Sequence, residues 1–418
     1  VVKHQETHPG LDVEGCFGCK ISHIGIGADA MPSRGGKARV ATINQKDRNG
    51  DTSKYLNLVG VNLPHVGYGK MVAGLRDALS SKVNLVDDAE RVVFALRPNL
   101  IKGWVEGQNP ALLTMWETNW LPPEFSEYLS LFDTVIVPSL HNWELFSQFH
   151  DNVRVIPLGV DRDVWHPKER PQNDKFKILC GGSEWYRKGL DVVLKVFLEM
   201  NLPDAELHIK IVPPYLCAPE NLVYPNVVIH NKWMTVEDEA DLVRSADCFI
   251  SVSRGEGFGL MPLQAISAGV PTILSDAHGH REFSDLATHR IPTRSVPTNE
   301  GTWKDMGDWD EPESDAIFSA IKDLYDNRDR YRQQAETYAG ETAAFNWDTA
   351  ADQLLQVVKP TENRVTGKWQ PLEPTCEVEV KRKVKADIGR HHVDLKPGQK
   401  YRVVLNVRDV LRDSGALV

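Results

Sequence analysis

Apolar and polar positions change rhythm twice along this chain. Residues 1–56 are polar, glycine-rich and poorly periodic, with one strand-like run from Ala38 to Ile43. From Asn57 onward, short apolar runs alternate with stretches of helical period. Asn57–Val61, Arg91–Leu96, Leu112–Met115, Thr134–Val137 and Val153–Ile156 read as strands, with helical stretches such as Gly69–Leu79 and Asn142–Phe149 between them. This alternation predicts an α/β domain around a mostly parallel sheet over residues 57–167. Pro157–Asp161 closes it, and the Pro-, Asp- and Lys-rich stretch Asp161–Asp174 reads as a linker. A second α/β series fills 168–345, with Lys177–Cys180, Glu206–Ile211, Asn226–His230 and Cys248–Val252 as strands. Leu190–Glu199, Val236–Ser245 and Asp315–Asp326 read as its helices. Trp347–Val358 reads as a last helix, in a segment 346–360 of its own. The Val/Lys alternation of Glu377–Lys385, with Tyr401–Val407, predicts a small β appendage over 361–418.

Two α/β domains on a short linker hold ligands between them, at the carboxyl ends of their strands. Three glycine loops fall at such ends. The first domain has Leu63–Lys70, with Gly67 and Gly69; the second has Gly181-Gly182-Ser183 and "SRGEGFGLMPLQAISAGVPTILSD", Ser253 to Asp276. A strand, a glycine loop and a helix N-terminus together favour an anion, because loop N–H groups and the helix dipole both attract it. Glycine also lets a ligand approach closely. One such loop is equally a plain strand-to-helix turn; three in a two-domain α/β chain point to a phosphate-bearing ligand.

Composition adds limits. The chain has 418 residues, 41% hydrophobic and 25% charged, an ordinary globular balance with room for several cores. The net charge of −10 argues against general polyanion binding, while leaving room for a local basic cleft. No apolar run has the length of a membrane span, and the first residues lack a charged-then-apolar signal pattern. The dispersed Cys180, Cys217, Cys248 and Cys376 predict a reducing, cytoplasmic setting. The remaining pair, Cys16 and Cys19, stands behind His4 and His8, with His23 nearby. Two thiolates and two imidazoles at this spacing are a candidate structural zinc knuckle, or else a reduced, unliganded pair in a polar arm.

Residues from about Asn57 to Val358 resemble a family-4 retaining glycosyltransferase of the GT-B fold. The resemblance rests on Gly67-Tyr68-Gly69, "PSLHNWELF", "VIPLGVD", "CGGSEWYRKGLDVVLKVF", the long glycine stretch above and "FNWDTAADQLL". It implies two Rossmann-like domains facing a cleft, an N-terminal acceptor domain and a C-terminal donor domain, with the last helix crossing back to the first. It implies a UDP- or GDP-linked sugar as donor, transfer to an acceptor hydroxyl with retention, and no metal or cofactor for catalysis. Carried over position by position, Lys188 matches the lysine that pairs with the donor phosphates. Glu256 matches the first of a paired-glutamate motif that holds the sugar hydroxyls, and Phe258, Gly259 and Leu260 match positions whose N–H groups face phosphates and sugar. Gly67 and Gly69 let the first domain close on the diphosphate.

Three positions depart from the pattern. The second glutamate is Gln264, which still has an acceptor and donors for a ribose. The family arginine is Ser183, with Arg187 as a candidate replacement cation. Where relatives carry His then Asp, this chain has Trp116 and Glu117, so Glu117 is either a carboxylate near the reacting carbon or a rim acid. The Asp-x-Asp pairs Asp161/Asp163 and Asp308/Asp310 read as linker and loop. "EGCFGCK" with "AMPSR" resembles short N-terminal modules in phages of actinobacteria, which implies action in the host cytoplasm. The acceptor is open: virion protein, modified DNA, lipid or small molecule. The alternatives to an active enzyme are a degenerate nucleotide- or glycan-binding relative and a virion assembly protein.

Overall fold

Apolar runs too regular to be exposed on either face need cover on both, and the chain provides it with two parallel sheets between helices. The computed structural model describes residues 53–61, 66–169, 173–211, 223–299, 303–371, 375–381, 383–388, 391–404 and 411–412. The zinc expectation at His4, His8, Cys16 and Cys19 lies outside the described residues, as does the Leu63–His65 part of the first glycine loop.

The first sheet uses β1 (Tyr55–Gly60), β2 (Asn84–Leu85), β3 (Arg91–Ala95), β5 (Asn109–Leu113), β6 (Thr134–Val137) and β7 (Val153–Val155); β4 (Gly103–Val105) lies outside it. Their order is β2-β1-β3-β5-β6-β7, all parallel. All five residues of β3 and all four of β6 are buried, which is why neither run alternates. Helices α1 (Gly67–Ser80), α2 (Pro123–Leu129) and α3 (Leu140–Phe146) flank the sheet.

The second sheet is built from β8 (Phe176–Gly182), β9 (Ala205–Ile211), β10 (Val227–Asn231), β11 (Cys248–Ser251), β12 (Thr272–Ser275) and β13 (His289–Ile291). Its order is β10-β9-β8-β11-β12-β13, again all parallel. Its helices are α4 (Leu190–Met200), α5 (Val236–Arg244), α6 (Leu260–Ser267), α7 (Ser314–Asp326) and α8 (Arg328–Glu341). Thr235 caps α5 by accepting from Asp238 N at 3.0 Å, and Glu237, Asp238 and Glu239 face the positive end of the dipole.

Two pieces of the second domain are not legible as apolar pattern. Helix α8 buries only Tyr331, Ala335 and Ala339, a stripe four residues apart and too small to stand out. The other is an antiparallel ribbon, β14 (Thr293–Pro297) against β15 (Asp308–Pro312), which pairs Ser295 with Asp310 and Pro297 with Asp308. Asp308 and Asp310 therefore sit on a strand, not in the expected loop. The run Asp-Trp-Asp-Glu-Pro hides its strand because Trp309 is its one large apolar residue.

The domains are joined by packing as well as by the linker. Helix α9 (Trp347–Val358) lies on α1, where a Cβ added to Gly74 would come within 2.2 Å of the Trp347 ring. Leu354 and Val358 enter one buried cluster with Leu56 and Leu75 of the first domain and Phe258 and Leu263 of the second. A different cluster takes Trp303 and Trp309, from the ribbon and its turn, into the first-domain core beside Trp116 and Phe125. Beyond 361, β16 (Trp369–Pro371) pairs with β4, β17 (Thr375–Glu379) with β20 (Lys400–Val404), and β18 (Val384–Ile388) with β19 (His391–Leu395). Among the described residues no helix is long and apolar enough to cross a membrane.

Candidate active site

The glycine stretch after β11 is shaped by the other domain. A Cβ at Gly255 would lie 1.9 Å from the Glu117 carbonyl oxygen, and one at Gly257 would lie 2.6 Å from Met115 Cβ. Both contacts come from the segment leaving β5, so these glycines let the first domain press onto the loop. Their sequence-based reading as room for a phosphate is corrected to that extent: the atoms they admit are protein. Gly259 differs. Its φ of 106° lies in the left-handed region, and it turns the chain into α6, whose first N–H groups are those of Leu260 and Met261. Phe258 is buried against Phe283 and Phe345 and anchors the turn.

Lys188 reaches this loop from the turn before α4. A Cβ at Gly182 would meet the Lys188 stem at 2.5 Å, so glycine there gives the side chain its path. The ammonium pairs with Glu256, and Ser253 Oγ donates to the same carboxylate oxygen at 2.9 Å. Arg187 lies 3.7 Å from the other oxygen. Burial pushes the Glu256 carboxyl up, but Lys188 and Arg187 outweigh it and hold the group well below the usual carboxylate range. Arg187 itself is buried and occupied: it pairs with Glu184, donates to the Gly255 carbonyl at 2.7 Å and lies over the Trp303 ring. Its guanidinium faces inward, so it is not the free replacement cation the sequence suggested. Ser183 is half-buried and directly follows β8.

Glu117 is 9% exposed, with Arg97 3.5 Å away. Burial raises its pKa, opposed by Arg97 and Arg187. Gln264 on α6 is 8% exposed, and its Oε1 has no hydrogen-bond partner. A buried acceptor without a partner in the protein is a place where a ligand donor fits. His280 is fully buried, with Nδ1 on Ser275 Oγ at 3.0 Å and Nε2 unpartnered; burial lowers its pKa to about 4.

In the first domain, Gly67 is exposed at the start of α1 and Gly69 is buried. Between them, Tyr68 Oη bonds Thr114 Oγ1 at 3.1 Å and accepts from Met115 N at 3.0 Å, which ties α1 to the exit of β5. Ser139 caps α3 and also donates to the Gly257 carbonyl at 2.8 Å. Asn142 brackets Trp116 by accepting from its N at 2.6 Å and donating to its O at 3.0 Å.

Sequence reasoning passed over a second cation cluster. Lys70 and Lys210 each lie 2.8 Å from Glu239, and all three are largely buried. Burial pushes the Glu239 carboxyl up, yet Lys70 and Lys210 bring it down to about 2. The available signal was Lys70 itself, directly after Gly67-Tyr68-Gly69 in the first turn of a helix. Among the described residues no group of three or more His, Cys, Asp or Glu is placed to hold a metal ion.

The profile of a family described as "Family 4 Glycosyltransferase in conflict systems" matches residues 138–354. A D-inositol 3-phosphate glycosyltransferase from Paenarthrobacter aurescens is 27% identical over 225 residues, 49% of this chain and 51% of that protein. A putative glycosyltransferase of a Sulfolobus islandicus filamentous virus is 26% identical over 201 residues, 47% of this chain and 54% of that one. The chain thus spans about half the length of the curated relatives it matches. Among solved structures, sucrose-phosphate synthase from Thermosynechococcus elongatus superposes with a TM-score of 0.54 at 13% identity, covering 73% of this chain and 98% of that one. An Anabaena protein solved with UDP and glucose gives 0.53 at 13% identity, covering 73% and 99%. The shared architecture is the GT-B fold, two Rossmann-like domains, as the sequence predicts.

Proposed function

Because the chain belongs to the family-4 glycosyltransferases of conflict systems, we propose that it moves a sugar from a nucleotide-diphospho-sugar to an acceptor hydroxyl, with retention of configuration. The observation that carries this reading is the Lys188–Glu256 pair, together with Gln264 Oε1, an unpartnered acceptor midway along α6. On donor binding Lys188 turns from Glu256 to the diphosphate, and Glu256 accepts from sugar hydroxyls. The bond from the anomeric carbon to the phosphate oxygen breaks while the acceptor oxygen bonds that carbon, and the acceptor proton passes to the leaving diphosphate. The ammonium of Lys188 offsets the charge that grows on that group. Gln264 takes a ribose hydroxyl, and the N–H groups of Gly259 and Leu260 face the phosphates. Glu117 stands at the reacting carbon. With Arg187 committed to Glu184, the second phosphate cation is Lys70, which shares one carboxylate with Lys210 and feels the charge of Lys188.

A UDP-sugar is the first donor to try, since the Anabaena neighbour was solved with UDP and glucose. Purified protein is incubated with UDP- and GDP-hexoses and an acceptor panel, and nucleotide release is measured by mass spectrometry. Acceptor-dependent release is the expected result. A nucleotide-induced rise in melting temperature without any release, from any donor, would identify a degenerate binder instead.

A further inference from the structure

The ribbon β14–β15 closes a cavity of about 150 Å³ against the first domain. Its wall includes Glu117, Arg254, His278, Asp308, Trp309 and Asp310. Arg254 stands two residues before Glu256, and Glu117 feels the charges of both Arg187 and Glu256. Arg254 and Glu117 thus link the cavity to the loop that carries Glu256.

Carboxylates dominate the cavity wall; burial raises the Asp310 carboxyl, and the charge of Arg281 opposes that rise. Arg254 makes a two-bond pair with Asp191 at 2.8 Å and another with Glu311, and it donates to the Tyr186 carbonyl. All five of its N–H groups are engaged, and two carboxylates balance its charge. It has nothing left for an anionic ligand. Asp308 accepts from Asn119 Nδ2 at 3.1 Å, and Asp310 lies 3.5 Å from Thr293 Oγ1, but neither has an ion pair among the described residues.

The polar atoms of the wall ask for specific partners. His278 is 3% exposed, and its Nε2 bonds the Ser253 carbonyl at 2.9 Å. A carbonyl only accepts, so Nε2 carries the proton and Nδ1 is a bare acceptor, and Nδ1 has no partner. Trp309 is 5% exposed and its Nε1 donor is also unpartnered. The wall thus presents the carboxylates of Asp308 and Asp310, and two buried atoms of its lining residues, His278 Nδ1 and Trp309 Nε1, have no partner within the protein. A volume of this size holds a single six-membered ring.

We propose, resting on the transferase reading above, that this cavity is the acceptor subsite and takes a polyhydroxylated ring bearing a protonated amine beside a hydroxyl. The ammonium supplies donors to Asp308, Asp310 and His278 Nδ1, and a ring hydroxyl accepts from Trp309. A phosphorylated ring meets unpaired carboxylates and is rejected.

Calorimetry on the full chain, with and without UDP, compares glucosamine, N-acetylglucosamine, glucose and glucose 6-phosphate at neutral pH. Charge-assisted bonds are roughly twice as strong as neutral ones, so glucosamine should bind at least about tenfold tighter than glucose. N-acetylation removes the charge in the unaltered protein and should abolish that advantage; glucose 6-phosphate should bind weakest. In the Asp308→Asn/Asp310→Asn double variant the glucosamine-to-glucose ratio should fall to about one. Equal binding of glucosamine and glucose, tightest binding of the phosphate, or an advantage that survives in the double variant each overturns the proposal. So does loss of glucosamine binding on chelation, which would mean that the carboxylates hold a divalent cation. Sugar turnover that uses glucose and glucosamine equally sinks the subsite and leaves the transferase standing. Selective glucosamine binding with no transfer to any acceptor sinks the transferase, and leaves the cavity's choice of an amine intact.

Discussion

The two sides of the cleft around Glu117 differ in how far their polar groups are already matched. On the side of the turn before α4, Lys188, Glu256, Arg187 and Glu184 answer one another, and each charge has a partner within the protein. On the ribbon side, Asp308 and Asp310 carry no ion pair among the described residues, and Trp309 Nε1 and His278 Nδ1 have no partner. A matched network holds its shape without ligand and must exchange partners to bind one. An unmatched wall is completed by its ligand, so its chemistry selects what enters.

Removing the joint between the two sides has the largest expected effect. Trp303 is 3% exposed, 5.1 Å from the Trp116 ring, and donates to Glu184 at 3.1 Å. Trp303→Ala should cost about 4 kcal/mol of stability by opening a cavity there. Urea unfolding that shows less than about 1 kcal/mol would mean the ribbon is not part of the fold's support.

Acid should weaken the fold next. Buried His280 has its pKa lowered from 6.5 to about 4. Below 6.5 the unfolded chain takes up the proton and the folded one does not, so this contribution is complete above 6.5 and is lost as pH falls toward 4. It amounts to something on the order of 3 kcal/mol. The drop in urea midpoint between neutral pH and pH ~4.5 should shrink in His280→Gln; an equal drop in both proteins would show that this imidazole is not held neutral.

Lys188→Ala deletes the cation that exchanges partners, and sugar transfer should fall by about 10²-fold or more. Near-normal turnover would end its assignment to the diphosphate. The smallest effect belongs to Gln264→Leu, which should weaken nucleotide-sugar binding by about 1 kcal/mol, the net worth of one neutral hydrogen bond. If calorimetry finds affinity unchanged for every donor, the ribose lies elsewhere.

Sequence pattern revealed the parts of the fold that bury continuous or periodic apolar surface. β6 occupies Thr134–Val137 and α9 occupies Trp347–Val358, where the apolar rhythm is unambiguous. It missed α8 and the ribbon, which attach through small residues or single tryptophans whose partners lie far away in sequence. The site was legible in the same uneven way. Lys188 and Glu256 stand in quotable motifs and meet in space. The glycines of the same motif looked like room for a phosphate, and nothing local could say that Gly255 and Gly257 make room for Glu117 and Met115. The pairing of Lys70 and Lys210 across Glu239 joins three distant segments, and no spacing encodes it.

Helix α9 also sets an order of events during synthesis. The first domain's helix α1 leaves a groove at Gly74 that Trp347 fills, and the layer around Leu56 and Leu75 also takes in Leu354 and Val358. The ribosome has made the whole second domain before those residues emerge. Until then the nascent first domain carries an unfinished apolar face. A chain cut before α9 would leave that face open.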